Sequence, residues 1–127
     1  MLEHPRPLSP FLHYRWQYTN TLSILHRLSG ITLSGGFVLF VYWVTSIGRG
    51  PAAYARAAVL FAHPRVKILL ALAVLAFAYH FCNGIRHLLW DAGFGLERRE
   101  ARRSARIVVI ATILVAAAVL LAGGVLS

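Results

Sequence analysis

Two histidines, an arginine and an aspartate lie close together inside a long apolar segment of the chain. The segment ends with the sequence HFCNGIRHLLWD at residues 80–91. In a helix, one continuous stripe at i, i+4, i+7 and i+11 holds His80, Gly84, His87 and Asp91. Ionisable side chains at membrane depth are costly in free energy, so such a stripe usually faces protein, a cavity or a cofactor. The pattern predicts that the chemistry of this chain is centred here.

An earlier apolar segment carries a second polar stripe. Its members follow at i, i+3, i+4, i+7 and i+11: Ser23, His26, Arg27, Gly30 and Ser34. Counted from Thr21 at about 1.5 Å per residue, His26 and Arg27 lie roughly 7–9 Å into their helix. The two stripes are therefore expected near the same side of the membrane, on helices that pack together through small residues.

The second helix runs in the opposite direction, so depths on it are counted back from Asp91. His87 then lies about 6 Å in and His80 about 16 Å in, near the middle of the membrane. We expect His26, Arg27 and His87 to share one depth, with His80 deeper.

This layout suits a haem held between two helices. A neutral imidazole such as that of His80 can ligate the iron axially. The propionates would extend toward the water, where they need cationic or hydrogen-bond-donating groups, and His26, Arg27 and His87 lie in that direction. Because no second histidine shares the predicted depth of His80, a second axial ligand is expected from another subunit.

Each of these residues also has a simpler interpretation. A single histidine in a transmembrane helix is more often an interhelical hydrogen-bonding group than a haem ligand. Ser23 and Ser34 could bond back to a carbonyl one turn earlier in the helix. Arg27 and Arg86 lie near helix ends, where arginine extends toward the headgroups. Arg86 falls off the histidine stripe, and we expect it to contact lipid or a partner.

The composition places these stripes in a membrane. Of the 127 residues, 58% are hydrophobic and 13% charged. Uncharged runs of about 18–20 residues cover 28–47, 68–85 and 107–126, each long enough to cross the hydrocarbon layer. The fold class is therefore predicted as all-α, an integral membrane protein with three transmembrane helices.

The predicted organisation is a single domain, 1–127. The three transmembrane helices are placed at 21–47, 65–91 and 105–126, after a cytoplasmic tail at 1–20. A short amphipathic helix at the outer surface is expected over 52–62.

The net charge of +9 comes from basic residues that lie between and beside the spans, which argues against nucleic acid as a partner. Their excess in the N-terminal tail and in the second connection predicts that both are cytoplasmic and that the C-terminus is outside. Since the N-terminus has the features of neither a signal peptide nor a mitochondrial transit peptide, we expect a bacterial plasma membrane.

Three motifs together resemble the cytochrome b subunits of succinate dehydrogenase. They are RPLSP at 6–10, SILHRLSG at 23–30 and HxxxGxRHLxxD at 80–91, in the family's order on a chain of the family's length. The resemblance implies a membrane anchor for flavoprotein and iron–sulfur subunits. Together with a second small anchor subunit, which completes the helical bundle within the membrane lipid, such a subunit binds one b-type haem and ubiquinone or menaquinone.

The resemblance also implies roles for individual residues. His80 matches the axial haem ligand, and His26, Arg27 and His87 match positions near the haem propionates. Ser23 and Arg27 match positions that line the quinone site.

Electron delivery from an iron–sulfur subunit to quinone is therefore the predicted function. The chain alone is expected to have no succinate-oxidising activity, because it has no flavin or iron–sulfur motif. One alternative is a purely structural anchor without haem or a direct quinone role. Another is a small transporter or proton path through His80, His87 and Asp91.

Overall fold

The computed structural model describes residues 18–123, which form four helices. They are α1 (Tyr18–Gly48), α2 (Pro51–Ala62), α3 (Pro64–Asp91) and α4 (Arg98–Ala122). No strand occurs within these residues. Helices α1, α3 and α4 are each long and apolar enough to cross a membrane. The prediction of an all-α membrane protein with three spans is thus confirmed.

The helix bounds can be set beside the predicted ranges. The short helix expected over 52–62 is present as α2. Helix α4 starts at Arg98, seven residues before the predicted span of 105–126. The arginine-rich connection between the second and third spans is therefore largely helical. The predicted tail lies outside the described residues up to position 17, as do residues 124–126 of the third predicted span.

Glycine and proline set the turns between the helices. Gly50 has a φ of 93°, a conformation that favours glycine, and Pro51 follows it at the first position of α2. His63 ends α2 and caps α3 through its side chain, which accepts a hydrogen bond from the backbone N–H of Arg65 at 3.3 Å. Gly93 and Gly95, with φ of 86° and 75°, turn the chain from α3 into α4.

Helix α3 packs against both α1 and α4, whereas α1 and α4 touch each other least. Small side chains permit this packing. The buried apolar residues are Leu22, Ala57, Ala78, Ala105, Val108 and Ala116. Most large apolar side chains instead face outward, as lipid allows. The centre of the molecule is therefore α3, with one face toward α1 and the other toward α4.

Candidate functional site

The imidazole of His80 is held against α1 at its Nδ1 atom. This nitrogen lies 3.2 Å from the carbonyl oxygen of His26 and 3.1 Å from the hydroxyl oxygen of Ser29. A carbonyl oxygen only accepts, so Nδ1 carries the hydrogen in the neutral ring. The lone pair of His80 is then on Nε2, the arrangement in which a histidine can bind a metal ion through that atom.

Three imidazoles stand together between α1 and α3. The rings of His26 and His80 are stacked, with centroids 4.0 Å apart and planes 10° from parallel. The ring of His87 lies 5.1 Å from that of His26 at 40°. The structure thus brings His26, His80 and His87 together, as the two polar stripes predict.

Glycine provides the space for these rings. A Cβ atom on Gly30 would lie 3.3 Å from Cε1 of His80, closer than such atoms normally approach. A Cβ on Gly84 would lie 3.9 Å from Cε1 of His26, an ordinary contact. Gly30 on α1 is therefore the position where a side chain would disturb the proposed ligand.

His26 lies between the other two imidazoles. Its ring stacks directly on that of His80 and also approaches that of His87. A second histidine thus lies beside His80 within this chain.

Ser23 and Arg27 lie on α1 next to this cluster. The side chain of Ser23 is half-buried and that of Arg27 is exposed. Within residues 18–123, Arg27 has neither an ion pair nor a hydrogen bond to another side chain. A guanidinium exposed within a membrane span requires lipid headgroups, a ligand or another subunit to solvate it.

The interpretation of Arg86 as a lipid or partner contact was wrong. Its side chain is only 4% exposed and lies between α3 and α4. It donates hydrogen bonds to Ser104 Oγ at 3.0 Å and to the carbonyl oxygen of Ala101 at 3.1 Å. Its guanidinium carbon also lies 3.9 Å from the ring centre of Trp90. Arg86 therefore joins the two helices.

Two further polar residues were not identified as candidates from the sequence. Tyr79 donates a hydrogen bond from its hydroxyl to the carbonyl oxygen of Leu22 at 2.6 Å. Ser29 contacts His80, as described above. The signal was available, because Leu22, His26 and Ser29 follow at i, i+4 and i+7, a stripe one position away from the one centred on Ser23 and Arg27.

Asn83 was also missed, on the face of α3 next to the one that carries the histidines. It is fully buried and accepts a hydrogen bond from Arg86 at 3.4 Å. Asn83, Arg86 and Trp90 follow at i, i+3 and i+7, which indicates a second polar face directed at α4.

Comparison with known proteins assigns the chain to a family. Residues 3–120 match the model of the succinate dehydrogenase/fumarate reductase transmembrane subunit. The chain belongs to this family.

Individual relatives agree with this assignment. The succinate dehydrogenase cytochrome b556 subunit of Rickettsia typhi is 38% identical over 112 residues, which cover 86% of each chain. The cytochrome b556 subunit from Paracoccus denitrificans is 35% identical, over 87% of this chain and 86% of its own. The mitochondrial cytochrome b560 subunit of Mus musculus is 40% identical over 86% of this chain and 66% of its own.

Membership in the succinate dehydrogenase/fumarate reductase family confirms the resemblance carried by the three motifs. The chain is a multi-pass membrane subunit of an enzyme complex, and it does not catalyse the reaction alone. Its histidine cluster and exposed arginine are therefore features of an anchor subunit that functions within a larger complex.

Proposed function

We propose that this chain is the cytochrome b anchor of a succinate dehydrogenase. In this function it binds a b-type haem through His80 and lines a quinone site with Ser23 and Arg27. The observation that carries the proposal is the hydrogen bond between Nδ1 of His80 and the carbonyl oxygen of His26, which leaves Nε2 with its lone pair. The cytochrome b names of the relatives support the same cofactor.

The residues around His80 fit a haem. Nδ1 is already bonded to α1, and Gly30 leaves room for Cε1 of the ring. A low-spin six-coordinate haem needs a second axial ligand, which we assign to a second small anchor subunit. A bound haem would store one electron near the path from the iron–sulfur subunit to quinone.

His26, Arg27 and His87 would hold the haem propionates. The Nδ1 atom of His26 is buried and has no hydrogen-bond partner within the described residues. A buried unpaired nitrogen is costly, and a carboxylate accepting a hydrogen bond from the histidine cluster would offset that cost. Arg27 adds the positive charge that keeps a carboxylate ionised at this depth.

Ser23 and Arg27 would also hold the quinone. They are one turn apart on α1, where Ser23 is half-buried and Arg27 is exposed. The hydroxyl of Ser23 can donate a hydrogen bond to a quinone carbonyl oxygen. The guanidinium of Arg27 can stabilise the negative charge that develops on that oxygen as the quinone, ubiquinone or menaquinone, is reduced.

The partners follow from this function. The iron–sulfur and flavoprotein subunits are placed on the cytoplasmic side, where the N-terminus and the arginine-rich start of α4 are expected. The C-terminus is then outside, in a bacterial plasma membrane. In this orientation Ser23, His26, Arg27 and His87 lie toward the cytoplasmic ends of α1 and α3, the side on which electrons arrive.

The test is a reduced-minus-oxidised absorption spectrum of the complex purified with this chain, compared with its His80→Ala variant. We expect a low-spin b-type spectrum that is lost or altered in the variant. His63→Ala is the control, because His63 caps α3 at its outer end, far from the cluster. An intact complex without haem would overturn the proposal and leave the structural anchor in its place.

A further inference from the structure

Ser29 is a buried serine that occupies the same helical turn as His26. It is 7% exposed, and its hydroxyl donates a hydrogen bond to the carbonyl oxygen of His26 at 2.7 Å. Since a hydroxyl has one hydrogen, that bond fixes the rotamer of Ser29 and leaves the lone pairs of Oγ free to accept. The oxygen can therefore accept a hydrogen bond from the neighbouring helix.

The group that meets this oxygen is the Nδ1–H of His80. Nδ1 lies 3.1 Å from Ser29 Oγ and 3.2 Å from the His26 carbonyl oxygen, so the N–H is shared between two acceptors. One acceptor would let the ring pivot about a single hydrogen bond. Two acceptors from one turn of α1 restrict that movement.

The rest of the same turn holds the faces of the ring. His26 stacks on one face at 4.0 Å, and Gly30 leaves the space in which Cε1 of His80 lies. The segment 26–30 therefore contacts His80 through a carbonyl, a hydroxyl and an imidazole, and Gly30 leaves space for the ring. Of the three contacting groups, the hydroxyl can be removed by the smallest substitution.

The hydrogen bond has an electronic consequence for a bound metal. Donation from Nδ1–H makes the opposite nitrogen of an imidazole a more basic ligand. A more basic axial ligand stabilises ferric over ferrous haem and so lowers the reduction potential. Loss of one of two acceptors weakens this effect.

We propose that Ser29 is a positioning residue that orients His80 and tunes the reduction potential of the haem that His80 holds. The inference rests on the proposed function, because it requires His80 to be an axial ligand. It adds a role for a side chain that touches neither the haem nor quinone in the proposed arrangement.

The test is the midpoint reduction potential of the haem in the purified complex carrying Ser29→Ala, together with the low-spin electron paramagnetic resonance signal. We expect the haem to be retained, the potential to shift upward and the signal to change with the orientation of the ring. The substitution also frees the His26 carbonyl, but the Nδ1–H is left with one acceptor in place of two.

Ser46→Ala is the matched control. Ser46 is also on α1 and 4% exposed, and it donates the same type of bond, to the carbonyl oxygen of Trp43 at 2.7 Å. It lies about 25 Å along the helix from Ser29, by 17 residues at roughly 1.5 Å each. Any general effect of removing a buried serine from α1 should appear in both variants.

Ser29→Cys provides a second measurement in case the alanine variant does not assemble. A thiol is larger than the hydroxyl and fills the site, but it is a weak acceptor, so the potential should again shift upward. A potential that is unchanged in the variants, or that moves no more than in Ser46→Ala, overturns the role of Ser29. A downward shift also contradicts it.

These outcomes are separable from failure of the proposed function. If the wild-type complex lacks haem, or if His80→Ala keeps the wild-type spectrum, His80 is not the ligand. If His80→Ala abolishes the spectrum while Ser29→Ala leaves the potential unchanged, only the role of Ser29 fails.

Discussion

Tyr79 and Leu22 join α3 to α1 by a hydrogen bond of 2.6 Å between the phenolic hydroxyl and the main-chain carbonyl oxygen. Tyr79 immediately precedes His80, and Leu22 is one turn before His26. The bond thus lies next to the histidine cluster and fixes the separation of the two helices there. This hydrogen bond is short and directional. Apolar contacts in a membrane, in contrast, favour a neighbouring helix little over lipid.

Tyr79→Phe is expected to lower the stability of the assembled complex by about 1 kcal/mol, since it removes one hydrogen bond and leaves the ring in place. The measurement is the apparent melting temperature of the complex in detergent. Tyr54→Phe is the control, because Tyr54 is exposed on α2. Equal melting temperatures for the two variants would show that the bond contributes nothing to stability.

Arg27→Ala is expected to reduce succinate–quinone reduction by roughly 10²-fold, the scale on which loss of a charge-stabilising donor acts. Reduction of an artificial dye by the flavoprotein and iron–sulfur subunits should be unchanged. Arg27→Lys should retain part of the activity, because the charge remains while the planar donor is lost.

Arg56→Ala is the matched control for Arg27, since Arg56 is an exposed arginine on α2, on the other side of the membrane in the proposed orientation. Quinone reduction in Arg27→Ala that stays at the level of Arg56→Ala would contradict the quinone-binding role, whereas equal loss of quinone and dye reduction would point to failed assembly.

Arg86→Ala is expected to destabilise the complex by roughly 3 kcal/mol. It removes charge-assisted hydrogen bonds to α4 and leaves Asn83, which is fully buried, without its donor. Arg86→Lys should restore little, because an ammonium cannot reach several acceptors in a plane and stack on Trp90 at the same time.

The measurement for Arg86 is the melting temperature and the yield of assembled complex. Arg102→Ala is the control, an exposed arginine on α4. If both alanine variants were equally stable, the network between α3 and α4 would be of no energetic importance.

Adjacent glycines on α1 permit a matched comparison of helix packing. A Cβ on Gly36 would lie 3.2 Å from the Cβ of Ala73 on α3, whereas a Cβ on Gly35 would meet nothing within 4 Å. Gly35→Ala should leave the stability of the complex nearly unchanged, because the added Cβ meets open space and the span is helical in lipid whether or not it is packed. Gly36→Ala should lower the stability, because α1 and α3 must separate by a few tenths of an ångström.

Addition of Ala73→Gly to Gly36→Ala should restore the close approach and recover much of the lost stability relative to Ala73→Gly alone. Thermal denaturation of the wild-type complex, Gly36→Ala, Ala73→Gly and the double variant gives the coupling energy between the two positions. Equal effects of Gly35→Ala and Gly36→Ala would contradict a tight contact at Gly36.

The sequence predicts the fold well because the dominant signal is simple. Uncharged runs long enough to cross the hydrocarbon layer determine the number of spans, and backbone hydrogen bonding in lipid requires them to be helical. The prediction that His26, His80 and His87 come together also depends only on helical periodicity and on the antiparallel direction of neighbouring spans. Both are set by local chain geometry.

What the sequence could not supply was the rotation and the exact depth of each helix. The role of Arg86 depends on the packing of α4 against the face of α3 that carries it. From sequence, a lone arginine near a helix end is consistent with either lipid or protein contact. The stacking of His26 on His80 depends on the rotation of α1 and α3 and on their offset along the helix axes. The contacts of Ser29 and Tyr79 depend on differences of one residue around the helix, which periodicity alone does not resolve.

Helix α3 carries polar groups on two adjacent faces, His80 and His87 toward α1 and Asn83 and Arg86 toward α4. Rotation of α3 about its long axis would break the contacts of one set or of the other. The two sets together therefore fix the rotation of α3 about its long axis. Apolar packing alone would determine this rotation only weakly, because lipid tails are as apolar as the neighbouring helices. A substitution on one side of α3 is thus transmitted to the other as a change of helix orientation.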